Sequence, residues 1–204
     1  FDCFGLAFQR YITLTATTLD EGSVWHLALT GEGVDTLPID RSNLMYQALL
    51  AGIGDDLDAV PGLSIEMHSD IPLARGQGSS AAAIVSGIAL GRLIVDGEVE
   101  QDDIIRRAAE MEGHADNVAA AVLGGLVLTC ECEPDGVQAR QVPTADGIEF
   151  VVATPQFELS TGDSRAVLPS SVPMEDAVFN LRAASWMTAA WAAGDWPAVG
   201  QAMD

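Results

Sequence analysis

The segment Pro72–Ala83, with the sequence PLARGQGSSAAA, constrains the fold and chemistry of this chain more than any other. Two glycines and two serines come directly before a run of alanines that predicts a helix. Glycine lets the backbone approach a ligand closely and adopt positive φ angles. A helix N-terminus adds N–H groups without intrahelical partners and the positive end of the helix dipole. The segment therefore predicts a main-chain cradle for phosphate.

The chain contains no lysine, because all nine of its basic residues are arginines. The common phosphate-binding loop, G-x-x-x-x-G-K-[ST], requires a lysine, so that motif is excluded. What remains is a glycine–serine cradle that works without an ammonium group. Its predicted phosphate-binding residues are Pro72, Arg75, Gly76, Gln77, Gly78, Ser79, Ser80 and Ala81.

The composition bounds the class of protein and its partners. With 204 residues, 49% of them apolar, the chain is long enough for one or two domains with a real core. The formal net charge of −21 repels nucleic-acid phosphates and anionic lipids. We therefore expect no nucleic acid and no membrane among the partners. Solubility is the simplest reason for the acidity, and adaptation to high salt is a second.

The cysteines are Cys3, Cys130 and Cys132. This small, odd number argues against a disulfide framework and against a zinc site. Cys130 and Cys132 alternate along a predicted strand, so we expect them on one face, where packing is the preferred role.

Hydrophobic periodicity predicts a mixture of strands and helices without strict βαβ alternation, which favours the α+β class. Strands are predicted at residues 8–17, 24–29, 63–67, 126–132 and 149–154. Helices are predicted at residues 43–51, 79–95, 101–112, 117–123 and 174–193. The helix after the glycine loop is apolar nearly all round and is expected to be buried. A domain boundary is predicted near Phe150.

Four segments, in order along nearly the whole chain, carry a family resemblance. P-x-x-x-G-x-G-S-S-A-A resembles the phosphate loop of the GHMP small-molecule kinases. FDCFGLA at residues 1–7 resembles the end of the first motif of the homoserine kinases in that family. EGHADNVAAAVLGGL at 112–126 resembles their E-G-H-x-D-N-V-A-P-A-x-x-G-G-L segment, and LSTGDSRAVLP at 159–169 resembles their S-T-K-x-A-R-x-x-L-P segment.

The resemblance implies a two-domain GHMP kinase fold. Residues 1–149 would form the N-terminal, ATP-binding domain of the ribosomal protein S5 domain 2-like type. Residues 150–204 would begin a ferredoxin-like C-terminal domain. Because FDCFG starts inside a motif and AVGQAMD stops inside an expected helix, we expect a fragment that lacks the N-terminal start and much of the C-terminal domain.

The implied activity is phosphorylation of the L-homoserine hydroxyl by ATP, giving O-phospho-L-homoserine for threonine biosynthesis in the cytoplasm. The transfer would be direct and in line, with no general base. ATP and Mg²⁺ are the implied cofactors, and ATP and L-homoserine the small-molecule partners. A homodimer is a further expectation, since family members are often dimers.

By resemblance, Ser80 shares Mg²⁺ with a carboxylate from the helix at 101–112. Glu110 and Glu112 both qualify, and because they are two residues apart they point in different directions. The spacing in related kinases favours Glu110, with Glu112 second. Glu110 could instead pair with Arg106, one turn earlier.

The resemblance also implies the acceptor site. Asp2, His114, Asp116, Asn117 and Arg165 would bind substrate, and the implied catalytic residues are Arg165, Thr161 and Asn117. For His114, a role in orienting Asp116 is preferred over a role as a general base. Arginine suits planar recognition of phosphate. Arg165 follows Thr161 by four residues, which matches the T-x-x-x-R spacing of the family.

One departure lies in the same segment. Gly162 stands where the family usually has lysine, which removes a positive charge. It mildly favours a non-catalytic nucleotide-binding homologue as an alternative. Another alternative is a GHMP kinase for mevalonate-type or sugar substrates, against which Asp2 and Asn117 argue because they suit an ammonium-bearing acceptor. A third is that this chain alone is inert, because a later glycine-rich motif of the family is absent.

Overall fold

The computed structural model describes residues 3–20, 25–54, 62–134, 136–145, 148–155, 157 and 161–203. The side chains at 161, 163 and 165 are outside this description. Within the described ranges, the chain forms two three-stranded sheets with helices packed between and beside them.

The first sheet has the order β2-β4-β3, with β2 at Ile12–Thr18, β3 at His26–Gly31 and β4 at Leu63–Ser69. The central strand β4 is antiparallel to β2 and parallel to β3. Helix α1 (Leu44–Ile53) lies between β3 and β4 in the sequence, as a parallel pair requires. Alternate residues of β4 are buried, so this sheet has one face in the core, as the sequence pattern predicts.

Helix α2 (Ser79–Asp96) packs against α1 with almost no side chain between the two backbones. A Cβ atom at Gly87 would lie 2.4 Å from the Met45 carbonyl oxygen, and one at Gly52 would lie 2.5 Å from the Ile88 carbonyl oxygen. Glycine is therefore required for this close approach, which fixes where the first turn of α2 sits.

By length and hydropathy, α2 is the one helix in the described part of the chain that could cross a membrane. Here it is a core helix, with Ala81, Ile84 and Ile88 packed among α1, α3 and α4. It is less deeply buried than its composition predicts, since Leu93 on its outer side is 50% exposed.

The second sheet has the order β1-β5-β6 and is antiparallel throughout, with β1 at Phe4–Leu6, β5 at Leu126–Cys132 and β6 at Gly136–Val142. Helices α3 (Gln101–Glu112) and α4 (Asp116–Leu123) cover the face that carries Val127. The opposite face packs on α6 (Met174–Ala193) and α7 (Trp196–Met203). Helix α5 (Thr161–Ala166) precedes α6.

The α+β class is confirmed, and the five predicted helices are present with ends within two residues of those expected. The predicted strand at 149–154 is wrong, because residues 148–155 pair with no strand among the described residues and Val151 is 98% exposed. Alternating apolar residues cannot by themselves supply a neighbouring strand. Strands β1 and β6 were not predicted, because their own alternation is weak. Each forms a strand because it pairs with β5.

The domain boundary near Phe150 stays a prediction. The Phe150 ring contacts Phe8, with ring centroids 5.9 Å apart, and stacks on Trp191 at 6.1 Å. Residues on both sides of the predicted boundary thus share one aromatic cluster.

Candidate active site

The glycine loop before α2 has the backbone that a phosphate cradle needs. Gly76 and Gly78 have φ angles of +69° and +71°, and Ala74 has a φ of +50°. Gly78 is the N-cap of α2 and, having no side chain, cannot cap this helix end itself. The first-turn N–H groups of α2 therefore offer donors from which an anion could accept hydrogen bonds.

Two clefts flank this loop. The larger, of about 660 Å³, includes Pro72, Leu73 and Arg75 in its lining. The smaller, of about 460 Å³, is lined in part by Gly76, Gly78 and Asn117. A Cβ at Gly78 would lie 3.6 Å from Asn117 Oδ1, so the start of α4 stands directly against the loop. The loop therefore lies between two spaces, each large enough for a small molecule.

Ser80, in the first turn of α2, reaches the C-terminal end of α3. Its Oγ donates a hydrogen bond to Glu112 Oε2 at 2.7 Å. The Glu112 side chain is only 11% exposed, whereas that of Glu110 is 70% exposed. Glu110 Oε1 lies 3.7 Å from the Arg106 guanidinium, on the outer side of the helix.

A buried histidine extends this contact. Helix α3 ends at Gly113, whose φ of +84° turns the chain so that His114 folds back beneath it. The His114 side chain is 7% exposed, with Nδ1 2.7 Å from Asp116 Oδ1 and Nε2 3.7 Å from Glu112 Oε1. Ser80, Glu112, His114 and Asp116 thus form a polar chain, with a hydrogen bond at each end and the longer His114–Glu112 contact in the middle, and it ends beside Asn117 in α4.

The glycine loop is also connected to the segment that follows the second sheet. Gln77 Nε2 donates a hydrogen bond to Thr154 Oγ1 at 2.8 Å. The Oε1 atom of Gln77 is buried and accepts no hydrogen bond from the described residues. Sequence reasoning missed Thr154, since it lies in the segment predicted as a strand and carries no motif.

The structure brings together most of the residues singled out from the sequence. Pro72 and Arg75 line the larger cleft, and Gly76, Gln77, Gly78 and Asn117 line the smaller one. Ser80, Glu112, His114 and Asp116 contact one another in sequence from the start of α2 to the start of α4, whereas Glu110 lies on the outer side of α3. Asp2 lies outside the described residues, as do the side chains of Thr161 and Arg165.

Comparison with known proteins agrees with this geometry. The family model for the N-terminal domain of GHMP kinases matches residues 43–125. The homoserine kinase of Moorella thermoacetica is 40% identical over 203 residues, covering 100% of this chain and 67% of that protein. The homoserine kinase of Natranaerobius thermophilus is 35% identical, with the same two coverages. The chain therefore spans about two thirds of the length of these curated relatives.

Solved structures give the same answer. The homoserine kinase of Cytophaga hutchinsonii superposes with a TM-score of 0.75 at 25% identity, over 95% of this chain and 62% of that one. The mevalonate kinase of L. major has a TM-score of 0.59 at 15% identity, over 95% of this chain and 63% of that one, which shows a shared fold.

A glycine loop at the head of a buried helix, in this fold, defines a small-molecule kinase, and the chain belongs to the GHMP kinase family. Within that family its whole length is similar to the homoserine kinases.

Proposed function

We propose that this protein transfers the γ-phosphoryl group of ATP to the hydroxyl of L-homoserine, giving O-phospho-L-homoserine. The observation that carries the proposal is the Ser80–Glu112 contact at the open N-terminus of α2. It brings a hydroxyl and a carboxylate to the end of a helix that can bind phosphate through its N–H groups.

The phosphate groups would bind to the main chain of the loop. Phosphoryl transfer requires positioning and charge stabilisation more than covalent help from the protein. The N–H groups and helix dipole at Gly78–Ala81 offer both without any lysine. Arg75, which lines the larger cleft, adds a guanidinium nearby.

Ser80 and Glu112 fit a magnesium ion. In an octahedral Mg²⁺ site, neighbouring oxygen ligands are about 3.0 Å apart, since Mg–O distances are about 2.1 Å. The two side-chain oxygens here are 2.7 Å apart, so a small separation would accommodate the ion. We therefore propose Glu112, rather than Glu110, as the carboxylate partner of Ser80. Bound there, the ion would neutralise charge on the transferring phosphoryl group.

The two clefts suit the two substrates. The larger cleft, beside Pro72 and Leu73, would take the nucleoside, and the smaller, beside Asn117, the acceptor. The γ-phosphate would then lie over Gly76–Ser80, between its donor and its acceptor. Such placement allows direct in-line attack by the acceptor hydroxyl.

Acceptor recognition would use the polar chain that ends at α4. An ammonium group binds carboxylate and amide oxygens, which Asp116 and Asn117 supply. His114 is a positioning residue in this proposal, because its buried ring lies between Asp116 and Glu112. Asp2, Thr161 and Arg165 enter on the motif resemblance alone, with Arg165 binding the substrate carboxylate or the transferring phosphoryl group. We further propose a cytoplasmic, homodimeric enzyme of threonine biosynthesis.

The test is ADP release by the full-length protein with ATP, Mg²⁺ and L-homoserine, compared with mevalonate and a sugar as acceptors. Homoserine-dependent ADP release supports the proposal, and formation of phosphohomoserine identifies the product. ATP binding without ADP release for any acceptor would favour a non-catalytic homologue instead.

A further inference from the structure

We propose that Cys130 and Cys132 form a two-thiol binding site for a soft, thiophilic metal or metalloid ion, separate from the kinase site. Both residues belong to β5, and their Sγ atoms are 3.1 Å apart. Cys130 is exposed and Cys132 is half-buried, so an ion from solvent can reach the pair. The sequence predicted that the two cysteines share a face of the strand, but it favoured a packing role for them.

The register of the second sheet explains the pairing of the thiols. Residues two apart on a strand point to the same face, so Cys130 and Cys132 extend the face of Leu126 and Leu128. Those leucines pack with α6 and α7, but the cysteines lie beyond this cluster. The third cysteine, Cys3, is aligned with Thr129 on the opposite face.

Among the described residues, the one aligned with Cys132 leaves space beside its thiol. In the ladder with β6, Cys132 is aligned with Gly136, which has no side chain, and Cys130 is aligned with Gln138. The net charge of −21 also raises the local concentration of cations. Cys130 and Cys132 are four and six residues beyond Leu126, hence about 14 and 20 Å along the strand from the end next to Gly124–Gly125, which border the smaller cleft.

Distances favour an ion over a disulfide. A tetrahedral centre with metal–sulfur bonds of about 2.3 Å holds two sulfurs about 3.8 Å apart, so the thiols need to separate by only about 0.7 Å. A disulfide needs the sulfurs to approach to about 2.05 Å, and a Cα separation of about 6.6–6.8 Å along a strand is at the upper limit for one. The pair can therefore bind an ion with less distortion of β5.

The chemistry can be followed with phenylarsine oxide, a probe that requires two neighbouring thiols for a stable adduct. Both S–H bonds break and two As–S bonds form, while the arsenic oxygen leaves as one water molecule with the two protons. Arsenic stays trivalent, so no oxidant or reductant is needed. Cd²⁺ is the matching cationic probe, and it displaces the two thiol protons on binding.

The experiment treats the reduced protein with one equivalent of phenylarsine oxide and measures the intact mass. We expect one adduct per chain, its loss in both Cys130→Ser and Cys132→Ser, and its retention in Cys3→Ser. Retention of the adduct in either Cys130→Ser or Cys132→Ser, or its loss in Cys3→Ser, would overturn the proposal. Should Cys132→Ser fail to fold, the exposed Cys130→Ser decides the matter.

A second measurement uses Cd²⁺ and alkylation by iodoacetamide. Binding of Cd²⁺ should protect Cys130 and Cys132 from alkylation and leave Cys3 reactive, as read from peptide masses. Equal alkylation with and without Cd²⁺ contradicts a cation site, as does purification of the pair as a disulfide that resists both probes.

Discussion

Ser80 and Glu112, 32 residues apart in the sequence, are joined by a hydrogen bond of 2.7 Å between the start of α2 and the end of α3. The contact brings an oxygen pair suited to a hard cation to the N-terminal end of α2, where we propose that phosphate binds. Glu110 lies on the outer, solvent-facing side of α3 and is largely exposed. The family spacing favoured Glu110 as the partner of Ser80, whereas the side-chain directions in the structure bring Glu112 to Ser80.

The first prediction tests this difference. Glu112→Gln should lower kcat for homoserine phosphorylation by at least about 100-fold, because it removes the carboxylate proposed to hold the Mg²⁺ ion that would neutralise charge in the transition state. Ser80→Ala should lower kcat in the same direction and raise the Mg²⁺ concentration required. The matched control, Glu110→Gln, should stay within about twofold of the wild type, since an exposed ion pair contributes little. Equal losses in the two glutamate variants would remove the assignment of Glu112.

A second prediction concerns the link between the glycine loop and Thr154. Thr154→Val keeps the shape of the side chain but removes the oxygen that accepts from Gln77 Nε2. Loss of one such hydrogen bond costs about 1 kcal/mol, so nucleotide affinity should fall about fivefold if the bond positions the loop.

Calorimetric titration of an ATP analogue into the wild type, Thr154→Val, Gln77→Leu and the double variant measures this coupling. The double variant should bind no more weakly than Gln77→Leu alone. Strictly additive losses would show that the two side chains act independently of each other.

A third prediction concerns the contact of α1 with α2. Gly87→Ala should destabilise the fold by about 1–3 kcal/mol, because the new methyl group meets the Met45 carbonyl oxygen at 2.4 Å. Helix propensity alone predicts the opposite sign. The control is Gly200→Ala in α7, where nothing lies within 4 Å of the added atom and a gain of about 0.5–1 kcal/mol is expected. Urea unfolding measures the change in the free energy of unfolding for both variants. A stabilised Gly87→Ala variant would mean that α1 and α2 do not approach as closely as described.

The fourth prediction is a pH dependence at Asp103. Burial alone would raise the pKa of this carboxyl, but the hydrogen bond and charge of Arg107, with those of Arg106, outweigh it and hold the pKa below its ordinary 3.8. Because the folded-state pKa is the lower one, the stabilisation is fully present above the unfolded value of about 3.9 and is lost as pH falls through the folded value.

Asp103→Asn should therefore cost about 0.5–1 kcal/mol at neutral pH, and the cost should shrink as the solution is acidified below about pH 4. Asp102→Asn is the control, since Asp102 shares the first turn of α3 but is exposed. Urea midpoints measured across the pH range check both variants. A cost of Asp103→Asn that does not change with pH would contradict the ion-pair origin.

The sequence by itself determined the helices, the α+β class and the glycine loop at the head of α2. These features depend on local properties, namely the period of apolar residues and the backbone freedom of Gly76 and Gly78, so they can be read along the chain. The motif order along the chain indicated the kinase family for the same reason.

Only the tertiary structure decided which distant groups meet. Glu112 rather than Glu110 faces Ser80 because Gly113 ends α3 where it crosses the start of α2, and no local pattern contains that crossing. Strand β6 exists because β5 supplies its hydrogen-bonding partner, whereas residues 149–154 have alternation and no partner among the described residues. Pairing and direction are long-range properties, and three-dimensional packing sets them.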